Sequence, residues 1–217
     1  LAKLAARVMA GKSLEELGFT EDPTPSYVCA KEVVLPFIKF PGVDILLGPE
    51  MRSTGEVMGV DADMGMAFAK SQMAAGCPLP AKGTVFLSVN DRDKTLVADV
   101  AHDLHRLGFK IIATQGTAAC LRHLSVPTSE ICKIGEGRPN ILDHIINGEI
   151  HWIINTPLGV DTKEDDRAIR RTALERNLPT MTTLAAARAA IAAIERMRTT
   201  EPQVLSLQEY HALNRKP

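Results

Sequence analysis

The stretch KIIATQGTAACLRHL, Lys110 to Leu124, decides how the rest of the chain is read. Lys110 to Ala113 reads as a short buried strand. Thr117 to Leu124 reads as a helix with Ala118, Cys120, Leu121 and Leu124 as its apolar residues. Between them, Thr114-Gln115-Gly116-Thr117 is a tight polar turn that feeds the helix N-terminus. Unpaired backbone N–H groups and a partial positive charge make such a terminus attractive to anions, phosphate above all. Gly116 lets the backbone come close to a ligand, and the two threonines add hydroxyls. The same residues also suit a plain helix cap at Thr117. Neither GxxxxGK[ST] nor GxGxxG occurs in the chain.

Working outward, strand and helix patterns alternate. Thr84 to Val89 is a continuous apolar strand. A helix follows with Leu96, Val97, Val100, Ala101, Leu104 and Leu107 on one side and Gly108 as its stop. Beyond the central stretch, Ser129 to Ile134 reads as a strand, and Pro139 as the first position of a helix over Asn140 to Asn147. Ile150 to Ile154 is another strand, then a charged helix runs through Arg170. Pro179 to Thr182 is a fifth strand, and Thr183 caps an alanine-rich helix to Met197. This pattern predicts an α/β fold, a five-stranded parallel sheet with helices on both faces. Trp152 is expected in its core. Val204 to Leu213 is compatible with a strand or a short helix. Cys77-Pro-Leu-Pro80 is the expected boundary, with domains over 1–76 and 81–217.

Ligands of open α/β sheets sit beyond the carboxyl ends of the strands. Those ends carry Asn90, Asp91 and Lys94; Thr114, Gly116 and Thr117; Lys133, Gly135 and Arg138; Asn155 and Thr156; Thr182 and Thr183. Three cations and few acids predict a rim suited to a small phosphate-bearing anion. Polar loops that merely follow apolar strands explain part of the same pattern.

The first third is less regular. Leu4, Ala5, Val8 and Met9 share a helical face that Gly11 ends, and Ser13 to Glu16 is a capping-box pattern for a short helix stopping at Gly18. Tyr27 to Phe40 has the bias of one or two strands. Pro41-Gly42 is a turn, Gly48 to Gly55 a surface loop, and Asp61 the cap of a helix over Ala62 to Ala75. The chain starts at Leu1, and its first helix is expected to be cut from a longer protein.

With 217 residues, 45% of them hydrophobic, and a net charge of −1, the chain has material for a sizeable core. It lacks the basic excess of a nucleic-acid binder, and no apolar run is long enough to cross a bilayer. No partnership with nucleic acid or membrane is expected. Cys29, Cys77, Cys120 and Cys132 form no CxxC pair, which suits reduced thiols in a cytoplasmic setting. His102 and His105 lie three apart on a helix without a nearby third ligand, so a surface pair is expected rather than a metal site. No nucleophile, base and orienter pattern surrounds Ser88 or Cys120.

Several segments resemble the large subunit of bacterial carbamoyl phosphate synthetase. They are Lys31-Glu-Val-Val-Leu-Pro-Phe37, Phe40-Pro-Gly-Val-Asp44 and Leu47-Gly-Pro-Glu-Met-Arg-Ser-Thr-Gly-Glu-Val-Met-Gly59. The similarity continues through Ala113 to Ala118, Glu136-Gly-Arg-Pro139, Ile153-Ile-Asn-Thr156 and Ile169-Arg-Arg171. The resemblance implies that residues 1–76 are an incomplete α+β remnant, the end of the ATP-grasp unit that phosphorylates carbamate. Residues 81–217 would then be the Rossmann-type, methylglyoxal-synthase-like allosteric domain. It implies a nucleotide monophosphate effector, UMP or IMP, at Lys94, Thr114, Gly116, Thr117, Lys133, Asn155 and Thr156, with Arg138 as a further anion contact. Pro157 stands where enteric members of the family have threonine, which removes one contact. Ornithine would be held by Glu32 and Thr182, although Thr180 replaces a tyrosine of those enzymes.

By the same resemblance, the full-length enzyme uses ATP with Mg or Mn, and K, and works with a glutaminase small subunit. The chain itself is expected to hold no cofactor or metal and to make no carbamoyl phosphate. The alternative from another class is a methylglyoxal-synthase-like phosphate lyase. That chemistry needs a carboxylate base beside the phosphate. The lyases have glycine-glycine-aspartate where this chain has Gly137-Arg138-Pro139.

Overall fold

The computed structural model describes residues 1–22, 24–34, 55–157 and 163–213. The strand expected through Phe40, the Pro41-Gly42 turn and all but the last residue of the Gly48 to Gly55 loop lie outside those residues. Two compact units emerge, one of Leu1–Ser26 with the segment from Leu205 onward, the other of Tyr27–Val204.

The smaller unit contains α1 (Ala2–Met9) and α8 (Leu207–Leu213), neither of which has a buried residue. The tail thus takes the helical of the two forms its sequence allows. Ser13 and Glu16 exchange the expected capping-box bonds: the Glu16 amide donates to Ser13 Oγ at 3.1 Å and the Ser13 amide to Glu16 Oε2 at 3.0 Å. The segment they cap is a turn instead of a helix. So short a run cannot sustain helical hydrogen bonding without a packed face.

In the larger unit, β1 (Val28–Val34) pairs antiparallel with β2 (Gly55–Asp61), and α2 (Met64–Ala74) lies on this ribbon. Strand β2 was not expected, because its glycines weaken any strand pattern. Gly59 is required there: a Cβ would come within 1.9 Å of the Ala67 carbonyl oxygen and 2.5 Å of the Ser71 nitrogen. The helix cap is Asp63, whose carboxylate accepts from the Met66 amide at 2.9 Å, not Asp61. Asp61 instead accepts from the Asp63 amide and from Lys70.

The main sheet is five-stranded and parallel, as the alternation predicts. Its strands are β3 (Thr84–Val89), β4 (Lys110–Thr114), β5 (Ser129–Ile131), β6 (Trp152–Thr156) and β7 (Thr180–Met181), in the order β5-β4-β3-β6-β7. The connecting helices are α3 (Val97–Arg106), α4 (Gln115–His123), α5 (Ile141–Ile146) and α6 (Lys163–Glu175), and α7 (Leu184–Thr199) follows the last strand. Side chains alternate between faces because successive Cβ atoms point to opposite sides of a strand. Val85, Leu87, Ile111, Ala113, Trp152 and Ile154 join one core with α3, α4 and α7. Phe86, Ile131 and Ile153 join a second with α5 and α6. Trp152 is fully buried, as expected, with its ring edge-on to Phe109 at 5.9 Å.

Several boundaries differ from the sequence reading. α4 begins at Gln115, so the expected Thr114–Thr117 turn is the first turn of the helix itself. Leu96 is exposed and precedes α3. β5 is only three residues long, and Cys132 makes a single bridge to Asn140. Pro139 stands before the cap of α5 instead of at its first helical position. Asn140 is that cap, reciprocated by Asp143 in a capping box. β6 lies two residues further on than expected. Thr183 caps α7 as predicted, accepting from the Ala186 amide at 3.1 Å.

The segment before the connector Cys77–Pro80 packs against the elements after it. α2 packs on α7, and Met66, Ala69 and Leu79 enter the core of the first sheet face. The approach is close, since a Cβ on Gly65 would lie 2.9 Å from the Ala192 carbonyl oxygen.

Candidate functional site

β3 and β6 are neighbours whose following helices, α3 and α6, join the cores on opposite faces of the sheet. Two connections leaving in opposite directions open a crevice at the carboxyl ends of the strands, where ligands of such sheets bind. A cleft of about 480 Å³ lies there. Lys94, Thr114, Gly116, Thr117, Lys133, Asn155 and Thr156 all line it, although they span more than sixty residues of chain.

The α4 end of the cleft combines a helix start with a cation. Thr114 is the N-cap of α4 but makes no capping bond through its side chain. Gly116 leaves room for Lys94, because a Cβ there would sit 3.4 Å from the Lys94 ammonium. The Cys120 thiol donates to the Lys94 carbonyl at 3.5 Å, which holds the Lys94 backbone against α4. Lys94 forms an ion pair with Asp91 at 2.6 Å. The hydrogen bond and charge of Lys94, with a further contribution from Lys133, hold the Asp91 carboxyl below its ordinary value. Lys133 is exposed and makes no ion pair among the described residues, so its ammonium is available to a ligand.

Thr117 is not a rim hydroxyl. It is 1% exposed, and its Oγ1 accepts the Val89 amide at 3.2 Å, joining the end of β3 to the first turn of α4. Thr114 lies 3.4 Å from it and 3.3 Å from Ser88, so three hydroxyls in contact run along the cleft lining. Thr156 is likewise engaged, accepting from the Asn90 amide at 3.3 Å and from Asn90 Nδ2 at 3.1 Å.

The side of the cleft toward α5 and α6, where the second core lies, is more acidic and more apolar. Asp165 and Asp166 from α6 line it, together with Phe86, Ile134, Ile141, Pro157 and Ile169. Neither aspartate figured among the sequence-predicted site residues. They sit within a charged helical run whose orientation only packing decides; their place in the first turn of the helix that follows β6 was the available signal. Asp166 is buried, accepts from Asn155 Nδ2 at 3.0 Å and pairs with Arg170 at 2.9 Å.

Three other predicted positions fall outside the cleft. Arg138 is exposed and faces Asp143 at 3.9 Å. Glu32, on β1, accepts from Gln72 at 2.7 Å. Thr182 is an exposed residue just after β7. His102 and His105 are both exposed on α3, and the described residues hold no group of three or more metal-ligating side chains. All four cysteines are free thiols, and burial together with the charge of Glu32 pushes that of Cys77 up. No helix among the described residues is long and apolar enough to cross a membrane.

Residues 96–182 match the family model of the MGS-like domain. Over 97–100% of its length the chain is 48–51% identical to C-terminal parts of carbamoyl phosphate synthase large chains. It is 51% identical over 217 residues to that of Gemmatimonas aurantiaca, covering all of this chain and 20% of the relative. With that of Methanothrix thermoacetophila it shares 50% identity over 211 residues, 97% of this chain and 20% of the relative. The chain thus spans about a fifth of the length of these relatives. A methylglyoxal synthase from Elizabethkingia anophelis superposes with a TM-score of 0.43 at 17% identity, over 64% of this chain and 95% of that one.

Proposed function

We propose that this chain is the regulatory C-terminal part of a carbamoyl phosphate synthase, and that its cleft binds a nucleotide monophosphate. One observation carries the reading: Lys94, Lys133 and the open first turn of α4 converge on a single cleft that also has apolar walls. The phosphate lies at the α4 end, where backbone N–H groups and two ammonium groups meet it. The base and ribose lie toward Ile134, Ile141 and Ile169. UMP and IMP are the expected effectors, and Pro157, which offers no hydroxyl, trims the contacts available to them. Ornithine at Glu32 and Thr182 is a separate proposal, which the cleft neither includes nor needs.

In the full-length ligase, ATP with Mg or Mn, and K, serve the upstream catalytic units, and a glutaminase small subunit supplies ammonia in the cytoplasm. The chain alone makes no carbamoyl phosphate.

The test is calorimetric titration with uridylate, inosinate and ornithine. Charge-assisted hydrogen bonds contribute roughly 1.5–3 kcal/mol each, so Lys133→Ala should weaken nucleotide binding about 10- to 150-fold with the melting temperature unchanged. Unchanged affinity in a folded Lys133→Ala protein moves the phosphate elsewhere. A second reading, a phosphate lyase, gains from the Asp165 and Asp166 carboxylates in the cleft. Turnover of triose phosphate by the chain would favour it over the regulatory reading.

A further inference from the structure

The Asn155 side chain reaches the cleft in one orientation only. Its Nδ2 donates to Asp166 Oδ1 at 3.0 Å inside the protein. An ionised carboxylate accepts and does not donate, so the amide cannot turn over without facing oxygen to oxygen. Arg170 Nε stands 2.9 Å from the other Asp166 oxygen and supplies the compensating charge. That nitrogen is itself buried and makes no well-aligned hydrogen bond, so it acts on Asp166 as a charge. Asn155 and Asp166 are each 8% exposed, and both line the cleft. Asn155 Oδ1 is the polar atom left over, and it takes no hydrogen bond among the described residues.

We propose that Asp166 is a specificity-determining positioning residue, which fixes Asn155 as a hydrogen-bond acceptor and so selects a ligand that carries a donor there. The inference rests on the nucleotide reading above. β6 lies two strands from β4, roughly 10 Å across the sheet. A phosphate at α4 therefore leaves the ribose or the base, not the phosphate, opposite Asn155. The donor is a base N–H or a ribose O–H. An acceptor in its place would meet Oδ1 with no shared proton and leave a buried polar group unpaired, which discriminates more strongly than a missing apolar contact.

The probes are three nucleotides, compared by calorimetry on the chain. Uridylate against cytidylate replaces a ring N–H by a bare acceptor nitrogen. Uridylate against 2′-deoxyuridylate removes a ribose hydroxyl. The wild-type chain should prefer uridylate by about tenfold or more in one pair, and the pair identifies the donor. Asp166→Asn and Asp166→Ser let the Asn155 amide take either orientation, and each should cut that preference to within about threefold. Melting temperatures show whether both variants are folded. A merely structural role would weaken all ligands alike and leave the ratios in place. Ratios that persist in folded variants, or no preference in the wild type, overturn the inference while leaving nucleotide binding intact. Failure of the wild-type chain to bind any of the three overturns the nucleotide reading, and this inference with it.

Discussion

Thr117 shows how one hydroxyl divides between support and recognition. As part of a turn it reads as a ligand contact, yet its oxygen is committed to the buried Val89 amide. Thr117→Ala leaves that N–H without a partner, and an unmade buried hydrogen bond costs about 1–3 kcal/mol. The variant should melt at a lower temperature, and any loss of nucleotide affinity should accompany that drop. Lys133 is the opposite case, exposed and free of ion pairs among the described residues, so its replacement acts on binding alone. Equal melting temperatures for Thr117→Ala and the wild type would show that the Val89 amide finds another acceptor.

At the scale of elements, the β1–β2 ribbon and α2 are joined by a partly buried ion pair. Lys70 Nζ donates to Asp61 Oδ2 at 2.7 Å and to the Val60 carbonyl at 2.9 Å. Burial raises the Asp61 pKa, but Lys70 and the backbone N–H groups of Asp63 and Ala62 together outweigh it and leave it below its ordinary value. A carboxyl with a depressed folded-state pKa stabilises the fold above its unfolded value, near 4, and this contribution disappears as pH falls through the lower folded value. Hydrogen bonds to charged groups contribute about 1.5–3 kcal/mol at neutral pH. Asp61→Asn should therefore lower stability at pH 7 and flatten the acid limb of the stability curve below pH 4. Urea unfolding at a series of pH values reads both effects, and parallel acid limbs would assign the pH dependence to other carboxyls.

At the scale of the whole molecule, residues 81–217 remain a proposed folding unit, now with a definite debt to the segment before it. They contain every strand of the parallel sheet and every lining residue of the cleft. Met66, Ala69 and Leu79 nevertheless belong to the core of one sheet face. Full burial of a Met or Leu side chain contributes about 1.5–3 kcal/mol. A piece beginning at Ala81 should unfold cooperatively and keep nucleotide binding, but melt well below the complete chain. Loss of any cooperative transition would show that α2 and its ribbon are obligatory parts of the fold.

Much of this architecture is determined by sequence alone, because period-2 and period-3.6 patterns and glycine stops are local signals. The α/β class, the parallel sheet and the strand ends that line the cleft all follow from such signals. So does the cap at Thr183. The strand order, with β3 and β6 side by side at the switch point, is a tertiary outcome, since every strand has a similar apolar pattern. Strand β2 formed where local propensity argued against it, because β1 supplies its ladder and α2 its cover. Packing also decided which polar groups remain for a ligand. Thr117 and Thr156 turned inward to backbone donors, Arg138 turned to Asp143, and Asp165 and Asp166 swung in from α6. Hydrogen-bond satisfaction within a buried environment is a property of neighbours distant in sequence, and the chain acquires it only on folding.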